Sequence, residues 1–189
     1  MKNIKRAREP RPYNLLDLAR RSIESKLFNK PFSVDESTIP ESLKEELACF
    51  VTLHLSGDLR GCIGHIMPIQ PLYKDVIENA KAAAFRDPRF PPLTESEWKK
   101  VDLEISILTR PTLFEYQSTT ELIAFLKNHR PGVIISKNYN HATFLPQVWE
   151  ELPLVDEFMA HLCLKAGLDE NDWKQPDITI ELYYATVIK

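Results

Sequence analysis

The chain is short of the residues that build ready-made catalytic and cofactor sites. Five glycines in 189 residues leave no glycine-rich cradle for phosphates, and there is no P-loop, dinucleotide fingerprint, HExxH segment or GxSxG elbow. Three cysteines, Cys49, Cys62 and Cys163, are odd in number and far apart, which excludes a secreted disulfide framework. The lack of a C-x2-C pair argues against structural zinc, and no metal site is expected. Positive charge is in slight deficit, since 24 Lys and Arg face 27 Asp and Glu for a net charge of -3. No global field would gather nucleic acid. No segment approaches the roughly 18 apolar residues of a membrane helix, and none of signal-peptide length follows the basic N-terminal residues. The expectation is a cytoplasmic chain with reduced thiols, touching neither membrane nor nucleic acid.

What is present is a hydrophobic fraction of 43%, enough to bury a core as one domain or a little more. Residues 1–11 hold Lys2, Lys5, Arg6, Arg8 and Arg11 against Glu9 alone and read as a flexible, solvated basic arm. Residues 12–189 then alternate helices and strands. Leu15, Ala19, Ile23 and Leu27 recur every four positions behind Asn14, which is placed to cap, with Asp17 three residues on. Pro31, Pro40 and the Ser and Glu residues around them suit a surface connection. Leu47, Cys49, Val51, Leu53 and Leu55 alternate as a strand, and Gly57-Asp58 turns the chain into "LRGCIGH".

Further on, Leu72, Val76, Ala80 and Ala83 trace a helix that must stop at the three prolines of "FRDPRFPPL". Thr94 and Glu97 stand in capping-box register, and "VDLEISILT" puts Leu103, Ile105 and Ile107 on one strand face with Glu104 and Ser106 on the other. Ser118 opens a helix through Leu122, Phe125 and Leu126; "VIIS" and "ATFL" form a second hairpin around "KNYNH". A helix burying Phe158, Met159, Leu162 and Ala166 stops at Gly167, and "DITIELYYATVIK" reads as one long strand. Hairpins mixed with helices predict an α+β fold, a mainly antiparallel β-sheet flanked by helices. Trp98, Trp149 and Trp173 are dispersed and belong to the core.

The stretch that invites chemistry is "LRGCIGH", residues 59–65. In an extended strand Arg60, Cys62 and Gly64 share one face, so a guanidinium would favour the thiolate. Gly61 and Gly64 imply close approach by a ligand or by another backbone. The alternative is that Cys62 is a small buried hydrophobe and the glycines admit a tightly packed helix or bulge. His65 falls on the opposite face from Cys62, whereas His54, on the preceding arm, would reach Cys62 across the ladder if the register permits.

In order and spacing, "LRGCIGH", "AKAAAFRDPRFPPLTESEW", "LEISILTRP", "ATFLPQVW" and "CLKAGL" resemble the AMMECR1 domain family, over roughly residues 12–187. The resemblance implies a fold with a larger and a smaller lobe acting as a single functional unit, the glycine-cysteine strand lying near the groove between them. It implies no established reaction. In prokaryotes such domains resemble the A component of the AmmeMemoRadiSam grouping, so Memo-like and radical-SAM proteins are the expected partners; animal members resemble adaptors. With no CxxxCxxC run here, radical chemistry would belong to a partner. "NHRPGVII" departs from the shorter lysine-containing turn of many relatives at Arg130-Pro131.

Two readings follow. In the first, Cys62 is a thiolate nucleophile, Arg60 lowers its pKa, Glu104 orients the cluster, and Gly61, Gly64, His54, Arg86, Asp87, Arg89 and Gln147 surround a small anionic ligand, with Arg89 gripping its charge. The bland reading of the same residues is an internal Asp87–arginine pair, a structural Glu104–arginine pair and a backbone-bracing Gln147 amide. In the second, the glycine strand and the "RDPRF" loop form a contact surface of a non-catalytic adaptor. No cofactor is expected in either case.

Overall fold

The computed structural model describes residues 14–189, so the basic arm at residues 1–11 lies outside the described residues. In chain order the helices and strands are α1 (Leu15–Leu27), α2 (Glu41–Lys44), β1 (Ala48–Leu55), β2 (Asp58–Gly64), α3 (Leu72–Phe85), α4 (Glu95–Trp98), β3 (Val101–Leu108) and β4 (Thr112–Leu113). They continue with α5 (Thr119–His129), β5 (Gly132–Lys137), β6 (Asn140–Phe144), α6 (Val148–Glu151), α7 (Val155–Lys165), β7 (Thr179–Tyr183) and β8 (Ala185–Ile188). Two four-stranded sheets result, ordered β2-β1-β3-β8 and β4-β7-β5-β6, which gives the α+β architecture expected. The chain divides into two compact units, the first running to Ser106 and including Val187–Lys189, the second Ile107–Thr186.

In the first unit, Asn14 caps α1 by accepting from the Asp17 N–H, and the four-residue repeat buries Leu15, Ala19 and Ile23. Helix α3 packs on α1, β1 and β2. Val76, Ala80 and Ala83 on the helix and Val51 and Leu53 on the strand all lie in the core. The β1–β2 hairpin turns through Ser56 and Gly57, both at positive φ (57° and 92°), as a two-residue turn matching the strand twist requires. Beyond the helix, Thr94 and Glu97 form the expected capping box of α4.

The second unit surrounds Leu122, Leu126, Val133, Ile135, Phe158 and Leu162. Trp149 stacks on Phe158 at 3.6 Å and donates its indole N–H to the Pro131 carbonyl at 2.7 Å. Ser118 caps α5, and Gly167 at φ 75° follows α7. The terminal segment departs from the single strand expected. It breaks at Tyr184 into β7 and β8, which belong to different sheets. β7 buries Ile180, Leu182 and Tyr183 while β8 buries none of its residues, and the run of apolar residues across Tyr184 gives no sign of where one sheet is left for the other.

Candidate functional site

Strand β2 is an edge strand of its sheet, with β1 on one side only. Antiparallel pairing sets Thr52 opposite Cys62 and Leu53 opposite Gly61, then shifts so that His54 opposes Leu59. Arg60 is the extra residue of that bulge. A bulge re-aims the side chain it carries, and Arg60 turns into a buried position where Nε donates to Glu97 Oε1 at 2.8 Å and Nη2 to the Pro91 carbonyl at 2.9 Å. Its partner is the capping-box glutamate, whose carboxyl the guanidinium holds down to about 2. The expectation that Arg60 and Cys62 point together is therefore corrected.

Cys62 sits on the other side of the strand from Gly61. Its thiol accepts from the Thr52 hydroxyl at 3.3 Å, and burial pushes its pKa up despite that bond and the charge of Arg89. Asp87 and Glu104 push it further in the same direction. The arginine that acts on this sulfur is thus Arg89 rather than Arg60, and it does not prevail. His54, displaced by the bulge, faces Leu59 instead of Cys62. Glu104 pairs with Lys189 at 3.0 Å rather than orienting Arg60.

The "RDPRF" loop grips the chain itself. Buried Asp87 accepts from the Cys62 N–H at 2.9 Å and from Arg89 Nη2 at 2.7 Å, while Arg89 Nη2 donates to the Cys62 carbonyl at 3.2 Å. The guanidinium beside Asp87 holds its carboxyl far below the usual carboxylate range. Thr52–Cys62 is a pair whose Cys62 amide and carbonyl face outward from the sheet, and these two side chains satisfy both, closing the edge where another strand would otherwise add. Arg86 is exposed at the end of α3. Gln147 lies half-buried at the position before α6 in the second unit.

The glycines are explained by backbone approach. A Cβ on Gly61 would stand 2.2 Å from the Ala83 carbonyl oxygen of α3, and one on Gly64 2.3 Å from that of Cys49. Neither glycine opens space for a ligand.

Just beyond the strand lies an arrangement that the sequence analysis missed. Asp75, buried on α3, accepts from the Cys49 N–H at 3.2 Å and the Asn79 amide at 2.9 Å through Oδ2. Through Oδ1 it meets His65 Nδ1 at 2.9 Å and the Gln70 amide at 3.2 Å. One buried carboxylate thereby ties both ends of the segment 65–70, while Met67 and Ile69 between them are 58% and 61% exposed. The signal available beforehand was Asp75 and Asn79, four apart on the buried face of a helix.

A sealed strand edge, a buried carboxylate network and a loop tied at both ends define an α+β scaffold organised around one glycine-cysteine hairpin. The chain belongs to the AMMECR1 family, whose model matches residues 16–188. It is 39% identical over 178 residues to protein MJ0810 of Methanocaldococcus jannaschii, covering 90% of this chain and 86% of that one. It is 36% identical to protein MK0488 of Methanopyrus kandleri, at 93% and 86% coverage. The crystal structure of the uncharacterised protein PH0010 from Pyrococcus horikoshii superposes with a TM-score of 0.80, at 37% identity over 92% of this chain and 88% of that one. Among the described residues no helix is long and apolar enough to cross a membrane.

Proposed function

We propose that the chain is a non-catalytic interaction domain that docks Memo-like and radical-SAM partner proteins through the loop 65–70. The observation that carries this reading is the exposure of Met67 and Ile69 on a segment fastened at both ends to Asp75. Two exposed apolar side chains on a mobile loop would lose ordering entropy on binding; held in place in advance, they lose little. Pro68 and Pro71 stiffen the same segment. The competing reading, a thiol-dependent active site, loses its supports one by one. Arg60 is committed to Glu97, Asp87 and Arg89 are committed to the Cys62 backbone, and burial keeps the thiol protonated.

The test is co-purification of the Met67→Asp, Ile69→Asp double variant with Memo-like and radical-SAM proteins co-expressed from the same source. Wild type should retain a partner and the double variant should lose it, with an unchanged circular dichroism spectrum. Retention of the partner by the double variant, or absence of any partner on the wild type, overturns the proposal.

A further inference from the structure

A second feature of the first unit stands apart from the loop 65–70. Leu16 and Arg20 from α1, His54 from β1, Gly57 from the hairpin turn, Asp102 and Glu104 from β3, and Lys189 line a cleft of about 470 Å³. That falls within the range of clefts that accept small molecules, about 300–1,000 Å³. Its charged groups are unequal in their access to water. Glu104 has a side chain only 14% exposed, whereas Lys189, which meets it at 3.0 Å, is 76% exposed. The lysine reaches in from solvent and leaves only its ammonium group against a largely covered carboxylate.

Such a pair is asymmetric. Withdrawing Lys189 costs it little, because its stem is already wet and its rotamers are regained. Glu104 left alone would be a poorly hydrated anion, and it then demands another cation. With Lys189 removed the lining has two carboxylates, Asp102 and Glu104, against the Arg20 guanidinium. Leu16 provides apolar wall for a short aliphatic stem. Arg20, its Cζ 5.4 Å from the Trp98 ring centroid, is the arginine of this lining, and a guanidinium donates its N–H groups to a carboxylate.

We propose that this cleft is a binding site for a small aliphatic amino acid, its ammonium group on Glu104 in the place taken by Lys189 and its carboxylate toward Arg20. Lys189 acts as a built-in competitor. Removing it therefore tightens binding by the factor it costs, about tenfold if the lysine occupies the site nine-tenths of the time.

The experiment is a titration of the full chain with 5-aminopentanoate, followed by amide chemical shifts in a nitrogen-15 spectrum, with pentylamine and pentanoate as single-ended probes. The proposal expects saturable shifts at Leu16, His54 and Glu104, weaker binding of pentylamine and none of pentanoate. Lys189→Ala should tighten 5-aminopentanoate several-fold, Arg20→Ala should reduce it to the level of pentylamine, and Glu104→Gln should abolish it. Lys189 lies on the surface, so Lys189→Ala keeps the test informative even if Glu104→Gln fails to fold. No saturable shift with either Lys189 or Ala at that position overturns the proposal, and so does tighter binding of pentanoate than of pentylamine.

Discussion

At Gly61 the nearest non-neighbouring atom to an added methyl group is the Ala83 carbonyl oxygen of α3, at 2.2 Å. A backbone atom on a packed helix cannot swing aside as a side-chain tip can, so the helix or the strand must shift. Gly61→Ala is expected to destabilise the fold by about 3 kcal/mol, read as a lower urea midpoint at an unchanged slope. A loss below about 0.5 kcal/mol would show that the contact yields freely. The sequence made the close approach legible, because two glycines beside a cysteine on a strand call for something near. It left open whether that something was a ligand or a backbone, since composition carries no information about what packs across a strand. Arg60 is the instructive failure. Strict alternation puts it beside Cys62, but one bulged residue transfers it to the partner face, and a bulge leaves no mark in a periodic pattern.

Among the elements, β2 depends on groups supplied from outside its sheet. Asp87 and Arg89 take the amide and carbonyl of Cys62 that an interior strand would give to a neighbour. Asp87→Asn keeps the shape but removes the charge that meets Arg89, and it weakens the acceptor for the Cys62 N–H. The expected cost is about 2–3 kcal/mol, with faster hydrogen exchange at the Cys62 amide than at Ile63, whose amide lies on the β1 side. Unchanged protection at Cys62 would contradict the assignment of this loop as an edge seal. Helices were the most legible elements: the Asn14, Thr94 and Ser118 caps all fall where their side chains suggested. The terminal segment is two short strands in different sheets, and a run of strand-forming residues does not say which sheet each half joins. The knot at Asp75 was invisible for another reason, since its members come from β1, α3 and the loop between β2 and α3 and meet only in three dimensions.

For the molecule as a whole, the depressed carboxyls make stability depend on acid. Glu97 titrates near 2 in the folded chain because of Arg60, and at a higher, ordinary value when unfolded. The unfolded state therefore takes up the proton first. The contribution of Glu97 is complete above about pH 5 and is lost as pH falls toward 2. Melting temperatures of wild type and Glu97→Gln should differ at pH 6 and converge near pH 2; a constant difference across that range would exclude the ion pair as its source. The same network bears on function, since Arg60, Asp87 and Arg89 are all engaged in holding the fold. That this protein binds rather than reacts is tested most directly by the rate at which iodoacetamide alkylates Cys62 in the folded chain at pH 7, followed site by site by mass spectrometry. The account predicts alkylation slower than that of free cysteine; alkylation faster than free cysteine, confined to Cys62, would contradict it.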